Sequence, residues 1–212
     1  MNILDRVGKS PVLPILNLVD IHQGLRAAEA LANGGIETIE ITLRNKTALT
    51  VLHAIRKEFP HFTLGAGTIL QKEQIKQILD IGVDFGVAPG WNESVWQQAQ
   101  LNKFMLIPGI ITPTELNNAH QKGCTSLKIF PVEPAGGYPY MQALLAPFRS
   151  LGIKYIPTGG IKQEVVPSYL ADPDVLTVGG SWLTPANLLE NSQFAEITKL
   201  AMKAVSLAKC TI

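Results

Sequence analysis

Short runs of apolar and β-branched residues recur about every 20–30 residues, and this rhythm is the strongest constraint on the fold. Patterns typical of helices, most of them about 10–15 residues long, fill the intervals. Strands that alternate with helices in this way indicate βαβ units and a parallel sheet. The strand-like runs are Val12–Leu16, Ile36–Thr42, Phe62–Gly67, Asp84–Ala88, Phe104–Pro108, Ser126–Phe130, Lys154–Pro157 and Val175–Gly179.

Several of the intervening helices have recognisable ends. Asp20 is a candidate N-cap for one helix and Asn45 for the next. Thr112 precedes Pro113, and proline is favoured in the first turn of a helix. The predicted helices cover residues 21–32, 47–58, 72–81, 92–100, 113–122, 138–148, 163–170 and 194–208.

The number of strands distinguishes two parallel-sheet architectures. Eight strand–helix units in 212 residues leave about 26 residues for each, which is compact but sufficient for a (β/α)8 barrel. A doubly wound open sheet uses fewer strands and usually has a glycine-rich first turn, whereas residues 17–20 contain no glycine. We therefore predict an α/β protein in which residues 1–212 form a single (β/α)8 TIM barrel.

The composition excludes several classes of protein. Hydrophobic residues make up 46% and charged residues 17% of the chain, which excludes intrinsic disorder. The net charge of +1 gives no field that would attract nucleic acid. No apolar run approaches the roughly 18 residues of a membrane helix, and residues 1–10 do not resemble a signal peptide. Cys124 and Cys210 lie far apart and form no disulfide framework, which fits a reducing cytoplasm. Together these features lead us to expect a cytoplasmic protein without nucleic-acid or membrane partners.

Polar residues occupy two predicted strands at positions that should face the inside of the barrel. Strand side chains alternate between faces, so if Ile39 and Ile41 pack against helices, Glu40 points inward. The same alternation directs Lys128 inward from the sixth strand. Because the second and sixth strands lie opposite each other in a ring of eight, the two side chains should meet near the axis.

An inward lysine beside a carboxylate suits Schiff-base chemistry. Burial disfavours a charged ammonium, and the free amine is a nucleophile that forms an imine while the carboxylate moves protons. The alternative is a structural ion pair between Glu40 and Lys128, but buried pairs are weak stabilisers. Barrel enzymes carry their chemistry at the C-terminal ends of the strands, where both residues lie, and this favours a functional role.

Two glycine-rich turns follow the seventh and eighth strands, where barrels frequently bind phosphate. Glycines let backbone N–H groups approach an anion, and a helix N-terminus adds partial positive charge. Two ordinary tight turns would give the same pattern. The candidate phosphate-binding residues are Thr158, Gly159, Gly160, Gly179, Gly180 and Ser181.

Residues 65–68 (GAGT) end the third strand, and we interpret the glycines as positions where a substrate approaches the backbone, with Thr68 facing the pocket. A packing requirement is the competing interpretation. No cluster of His, Asp and Glu falls at the strand ends, so the sequence predicts neither a metal site nor a cofactor.

Seven short motifs in this order resemble the 2-keto-3-deoxy-6-phosphogluconate (KDPG) aldolases, which often also act as 4-hydroxy-2-oxoglutarate (KHG) aldolases. The resemblance covers nearly the whole chain, from about Pro11 to the final helix. The motifs are residues 40–44 (EITLR), 65–68 (GAGT), 88–90 (APG), 107–109 (IPG), 127–131 (LKIFP), 157–160 (PTGG) and 179–183 (GGSWL).

The resemblance implies a class I, metal-independent aldolase that assembles as a homotrimer. Lys128 would form the Schiff base and Glu40 would be the acid/base. Arg44, with Thr68, would hold the carboxylate of the keto acid. The remaining assignments are phosphate binding by Gly159, Gly160, Gly180 and Ser181, and pocket shaping by Pro89 and Phe130.

Two departures from the family leave the substrate preference open. Asn45 stands where the family often has threonine, and residues 134–137 (PAGG) replace an Ala-Asn-Gly-Gly type run. Two other functions also fit the residues. A sugar-phosphate isomerase or synthase would share the phosphate turns without needing the lysine, and a non-catalytic binder of phosphorylated ligands would bind without turnover.

Overall fold

The computed structural model describes residues 2–207, in which strands alternate with helices. The strands are β1 (Val12–Leu16), β2 (Thr38–Thr42), β3 (Thr63–Gly67), β4 (Phe85–Val87), β5 (Met105–Ile107), β6 (Gly109–Ile110), β7 (Ser126–Ile129), β8 (Lys154–Pro157) and β9 (Val178–Gly180). The α-helices are α1 (Ile3–Val7), α2 (Ile21–Asn33), α3 (Ala48–Glu58), α4 (Glu73–Ile81), α5 (Glu93–Leu101), α6 (Pro113–Gln121), α7 (Gly137–Leu145), α8 (Val166–Leu170), α9 (Ala186–Glu190) and α10 (Phe194–Leu207). Cys210 and the last residue of the predicted final helix, Ala208, lie outside the described residues.

The parallel strands close into a (β/α)8 barrel, which confirms the predicted fold class. Hydrogen bonds join them in the orders β5-β4-β3-β2-β1-β9 and β6-β7-β8. β5 and β6 are two halves of one barrel strand, and two bridges, Tyr155–Val175 and Thr158–Gly179, close the ring between β8 and β9. β2 and β7 are therefore the second and sixth barrel strands, on opposite sides of the ring.

Pro108 divides the fifth barrel strand, whereas the sequence pattern predicts that the strand ends at this residue. The hydrogen-bond ladder is interrupted at Pro108 because proline has no N–H to donate, and pairing resumes at Gly109. The Pro108 carbonyl still accepts a hydrogen bond from the Lys128 N–H at 2.9 Å. A Cβ on Gly109 would lie 2.3 Å from the Pro89 carbonyl oxygen, so glycine lets the loop after β4 approach.

The hydrophobic core has two layers. The larger lies between the barrel and its helices and includes Ile39, Ile41, Leu127 and Ile129, as the alternation of strand side chains predicts. The smaller fills the N-terminal end of the barrel interior and consists of Val7, Leu13, Phe85, Val87, Ile107 and Ile156. Val7 belongs to α1, a short helix that the sequence analysis did not predict. Apolar side chains thus close one end of the barrel and leave the other end to polar groups.

Of the two predicted N-caps, Asp20 is correct and Asn45 is not. Asp20 accepts a hydrogen bond from the Gln23 N–H, and Thr112 forms a capping box with Glu115. Asn45 is not the N-cap of α3, which begins at Ala48. Its Oδ1 accepts a hydrogen bond from the Thr47 N–H, and its Nδ2 donates to the Leu18 carbonyl in the loop after β1. No helix within residues 2–207 is both long and apolar enough to cross a membrane.

The last strand begins later than predicted. The sequence pattern places it at residues 175–179, whereas β9 begins at Val178. The preceding segment forms a turn held by Arg149, which donates hydrogen bonds to Asp172 and Asp174 at 2.7–3.0 Å. Hydrogen bonding from Arg149 lowers the pKa of the buried Asp172 carboxyl. The lowered pKa favours the charged carboxylate and so maintains the ion pair next to the junction of β8 and β9.

Candidate active site

A cavity of about 540 Å³ opens at the C-terminal end of the barrel strands. This is the end at which barrel enzymes carry their active sites. All the site residues predicted from the sequence line it except Gly180. The predicted residues in the lining are Glu40, Arg44, Thr68, Pro89, Lys128, Phe130, Thr158, Gly159, Gly160, Gly179 and Ser181.

Glu40 and Lys128 meet inside the barrel at the base of this cavity. Glu40 comes from β2 and is 1% exposed, and Lys128 comes from β7 and is 6% exposed. The Lys128 Nζ lies 4.0 Å from the Glu40 Oε1, too far for a hydrogen bond but close enough for one intervening atom to touch both. The predicted strand parity thus places a carboxyl and an amine together where a ligand can reach both.

The Glu40 carboxyl is held in an unusual environment. Its Oε1 is buried and has no hydrogen-bond partner among the described residues. Burial raises the pKa of this carboxyl above its ordinary value of 4.5, against the opposing charges of Lys128 and Arg44. A carboxyl with a raised pKa can release and recover a proton nearer neutral pH, as general acid–base chemistry requires.

The glycines of the GAGT motif serve packing, which is the interpretation that the sequence analysis placed second. A Cβ on Gly67 would lie 1.9 Å from the Glu40 Oε1, and one on Gly65 would lie 2.2 Å from the Phe85 ring. Both positions therefore admit only glycine while these neighbours keep their places. Gly67 makes room for the carboxyl itself and so belongs to the construction of the site.

Lys128 is fixed from two directions. Its backbone is paired on both sides, with Gly109 of β6 and Ile156 of β8. Its Nζ lies 5.0 Å from the centre of the Phe130 ring, within the range of a cation–π contact. The amine is therefore confined between an aromatic face and the Glu40 carboxyl, with its free side toward the cavity.

Arg44 and Thr68 form a polar pair on the cavity wall. The Arg44 Nε donates a hydrogen bond to the Thr68 Oγ1 at 3.3 Å. Thr68 has a φ of 60°, an uncommon conformation for threonine, so its loop holds the hydroxyl in a specific position. A guanidinium next to a hydroxyl donor is suited to binding a carboxylate.

The glycine-rich turns lie at the far side of the cavity, and most of their residues line it. Gly159 and Gly160 have φ values of 103° and 81°, which favour glycine. Ser181 opens a short 3-10 helix, Ser181–Leu183. Gly180 is the exception: it faces away from the cavity, and a Cβ there would lie 2.8 Å from the Trp182 Nε1 and the Val12 side chain.

Thr158 faces the cavity but does not offer the free hydroxyl donor that the sequence predicts. Its Oγ1 donates a hydrogen bond to the Ile156 carbonyl at 3.2 Å, so only its lone pairs remain for a ligand. A Cβ on Gly179 would lie 2.3 Å from this oxygen. Gly179 is thus needed to accommodate Thr158, in the way that Gly67 accommodates Glu40.

Sequence reasoning missed three polar or amphipathic residues of the cavity wall, Asn17, Lys162 and Trp182. Asn17 directly follows β1, and a polar residue at the C-terminal end of a barrel strand is a sequence signal for a cavity residue. Lys162 follows the Gly159-Gly160 turn and has an exposed side chain. Asn17 and Lys162 both supply hydrogen-bond donors to a cavity whose wall also contains the cationic Arg44 side chain.

Neither a metal centre nor a reactive thiol competes with this site in the described part of the chain. No group of three His, Cys, Asp and Glu side chains within residues 2–207 is arranged to hold a metal ion. A larger hollow of about 810 Å³ lies at the opposite end of the barrel, next to Cys124. Burial raises the pKa of the Cys124 thiol to about 12, so it is protonated and a poor nucleophile at neutral pH.

The environment of Glu40 predicts a pH-dependent effect of Glu40→Gln on stability. The folded state binds the Glu40 proton more tightly than the unfolded chain does. The carboxyl therefore favours folding fully below pH 4.5, and this contribution is lost as the pH rises through the raised folded-state pKa. The neutral amide has no such dependence. We expect the variant to gain unfolding free energy relative to the wild type as the pH is raised from 4.5 through neutrality, measured by urea denaturation.

The matched control is Glu58→Gln, at an exposed carboxyl on the surface of α3. It makes the same chemical change at a solvent-exposed position and so shows what the substitution does without burial. If Glu40→Gln followed the same pH profile as this control, or lost unfolding free energy relative to the wild type as the pH rises, the raised pKa would be contradicted.

Comparison with known proteins identifies the family of this chain. Residues 3–200 match the family model of the aldolases described as KDPG and KHG aldolase. The KHG/KDPG aldolase of Escherichia coli K12 is 39% identical over 199 residues, which cover 94% of this chain and 92% of the relative.

Two solved structures share the fold over almost their whole length. One is a KDPG aldolase from Legionella pneumophila with pyruvate captured as a covalent carbinolamine intermediate. It has a TM-score of 0.92 and 33% identity, covering 97% of this chain and 98% of that one. The other is the KDPG aldolase of Zymomonas mobilis with 3-phosphoglycerate, with a TM-score of 0.90, 34% identity and coverage of 99% and 98%. Sequence and structure agree over nearly the full chain, so this protein belongs to the KDPG and KHG aldolase family.

Proposed function

We propose that this protein is a class I aldolase that cleaves KDPG to pyruvate and glyceraldehyde 3-phosphate, with Lys128 as the Schiff-base residue and Glu40 as the acid/base. The observation that carries the proposal is the Lys128 amine 4.0 Å from the buried Glu40 carboxyl at the base of the cavity. An isolated ion pair would explain neither the unpartnered Glu40 oxygen nor the opening above the pair.

The reaction begins with imine formation. The free Lys128 amine attacks the C2 ketone, and the C–N bond that forms gives a carbinolamine. One proton of the attacking amine moves to the C2 oxygen, and protonated Glu40 gives this oxygen a second proton. The oxygen then leaves as water, and the protonated imine and the Glu40 carboxylate remain. The raised pKa of Glu40 suits this step, because it favours the protonated form that donates to the oxygen.

The protonated imine then accepts the electrons of the C3–C4 bond. The Glu40 carboxylate, directly or through one water, removes the proton of the C4 hydroxyl. The C3–C4 bond breaks, glyceraldehyde 3-phosphate leaves, and the electron pair moves into an enamine on Lys128. Protonation of C3 restores the imine, and water hydrolyses it to pyruvate and the free amine. One carboxyl can serve both proton transfers, since it lies 4.0 Å from the amine.

The cavity walls suit the two ends of such a substrate. We assign the keto-acid carboxylate to Arg44 and Thr68, whose guanidinium and hydroxyl lie side by side. The phosphate would lie at the opposite wall, against the Gly159-Gly160 turn and Ser181. A phosphorylated substrate also fits the cytoplasmic location expected from the sequence.

Pro89 and Phe130 would give the cavity its shape, and Gly180 would act from outside it by leaving room for Trp182. We propose 4-hydroxy-2-oxoglutarate as a second substrate, cleaved by the same steps to pyruvate and glyoxylate. The E. coli relative that carries both activities in its name supports this assignment. Such a substrate has no phosphate, so it would leave the glycine-rich turns empty.

Borohydride trapping tests the mechanism. Incubation with pyruvate and borohydride is expected to add a reduced pyruvyl group to Lys128, located by peptide mass mapping. Lys128→Met should lose the adduct and KDPG cleavage, because no amine remains to form the imine. The control Lys76→Met, at an exposed lysine of α4, should keep both.

Each alternative outcome has a definite meaning. A folded wild-type protein without an adduct would overturn the imine mechanism and favour the isomerase, synthase or binder. An adduct on a different lysine would keep the chemistry and remove Lys128 from its role.

Gly67→Ala tests whether the position of the Glu40 carboxyl matters for turnover. The added methyl group would lie 1.9 Å from the Glu40 Oε1 and must displace it. Displacement of an acid/base group by about 1 Å is expected to lower kcat about a hundredfold. The control is Gly90→Ala, at the same end of the barrel, where a Cβ meets no atom within 4 Å.

Circular dichroism and thermal unfolding would show whether both glycine variants remain folded. If folded Gly67→Ala turned over as fast as Gly90→Ala, Glu40 would not be the acid/base.

We also propose that the chain assembles as a homotrimer, which rests on the family resemblance. Sedimentation equilibrium is expected to give a species of three times the 23.0 kDa chain mass. A stable monomer or dimer at micromolar concentration would refute the trimer and leave the site assignment intact, because every residue assigned to the site comes from one chain.

A further inference from the structure

We propose that Asn17 is a specificity-determining residue, whose side-chain amide donates a hydrogen bond to the hydroxyl oxygen on C5 of the six-carbon substrate. Asn45 is the positioning residue that turns this amide toward the cavity. The inference rests on the proposed aldolase function and concerns the part of the substrate that becomes the aldehyde product.

The position of Asn17 follows from the order of strands around the barrel. Asn17 directly follows β1, whose neighbours are β2 on one side and β9 on the other. β2 carries Glu40 and the loop with Arg44, and β9 leads into Ser181. Asn17 therefore lies on the wall between the reacting centre and the glycine-rich turns, and its exposed side chain lines the cavity.

The orientation of the Asn45 amide is determined by its partners. Its Nδ2 donates to the Leu18 carbonyl at 2.7 Å, and a carbonyl oxygen can only accept. Its Oδ1 accepts from the Thr47 backbone N–H at 3.1 Å, a group that can only donate. The opposite orientation would lose both bonds. The second proton of Nδ2 is then available to Asn17.

The orientation of Asn17 follows in turn. The Asn45 Nδ2 donates to the Asn17 Oδ1 at 3.2 Å, and the Thr42 hydroxyl lies 3.5 Å from the same oxygen. Both partners place the oxygen of the Asn17 amide toward the barrel wall. Among the residues that the structure describes, no group accepts a hydrogen bond from the Asn17 Nδ2. The Asn17 amide thus presents two N–H donors that these residues leave unused. The hydrogen bond from Asn45 to its oxygen fixes the direction in which they point.

The substrate atom opposite these donors is the C5 oxygen. C2 is bound to Lys128 and the C4 hydroxyl must lie near Glu40, whose strand is next to β1. The phosphate, on C6, lies at the turns that β9 and β8 lead into. C5 comes between these two fixed points, as Asn17 comes between β2 and β9. A neutral amide donor matches an uncharged hydroxyl, whereas the two charged ends of the substrate are assigned to other groups.

The residue types make the arrangement specific to this chain. Asn45 stands where the family often has threonine, whose side chain has a single donor. One hydroxyl proton could not satisfy both the Leu18 carbonyl and the Asn17 Oδ1. The pair of asparagines therefore functions as a unit, and the departure from the family pattern is accounted for by the neighbour that it orients.

The test compares two aldehydes in the condensation direction with pyruvate. Glyceraldehyde 3-phosphate carries the hydroxyl that becomes the C5 hydroxyl, and 3-oxopropyl phosphate is the same aldehyde without it. Asn17→Ala is expected to lower kcat/KM for glyceraldehyde 3-phosphate about fivefold to tenfold, the loss for one neutral hydrogen bond. The value for 3-oxopropyl phosphate should change less than about twofold, because it has no oxygen for Asn17 to bind.

Asn45→Thr tests the positioning role with the side chain common in the family. It should weaken the preference for glyceraldehyde 3-phosphate in the same direction as Asn17→Ala, and by less, since the Asn17 amide is present but free to turn. In Asn17→Ala the further change Asn45→Thr should then have no additional effect on the preference. Asn102→Ala, at an exposed asparagine after α5, is the control for a change unrelated to the cavity.

An equal loss with both aldehydes, or no loss with either, would overturn the role of Asn17. A separate assay keeps this result distinct from failure of the proposed function. Exchange of the pyruvate methyl protons with deuterated water, followed by NMR, needs only Lys128 and the acid/base, so the Asn17 variants should exchange at the wild-type rate. Absence of exchange in the wild-type protein would refute the aldolase function itself.

Discussion

The close approach of the Glu40 carboxyl and the Lys128 amine inside the barrel is the interaction on which the rest of the site depends. Long side chains from opposite strands can meet only where the residues around them are small. Gly67 makes this possible, because any larger residue would occupy the space of the carboxyl. Burial then sets the chemical character of the pair, since the Glu40 carboxyl loses its solvation without gaining a hydrogen bond on Oε1.

The barrel interior is divided along its axis, and this division explains how a polar centre is tolerated there. The N-terminal end is filled by apolar side chains, and α1 contributes Val7 to that layer. The C-terminal end holds the Glu40 carboxyl and the Lys128 amine beneath the opening. The apolar half contributes the burial that stabilises the fold, and the polar half can remain reactive because the stability of the barrel does not rest on it.

Several details escaped sequence reasoning because they depend on which residues become neighbours in space. Strand alternation placed Glu40 and Lys128 correctly, since it needs only the local pattern and the ring order. The same motifs did not reveal that Gly180 faces away from the cavity or that the Thr158 hydroxyl is used by a backbone carbonyl. Asn45 was expected to cap a helix, and only the approach of the loop after β1 shows its other partners.

Local patterns in the sequence are sufficient to predict the alternation of strands and helices, the barrel class, the inward direction of Glu40 and Lys128 and the family. These properties follow from periodicity and from short motifs, which are local in the chain. Three further features become visible only in the folded protein: the 4.0 Å separation of the two groups, the packing role of Gly67 and the orientation of the Asn17 amide. Distances and hydrogen bonds between residues far apart in sequence depend on closure of the ring and on exact packing, which no local pattern encodes.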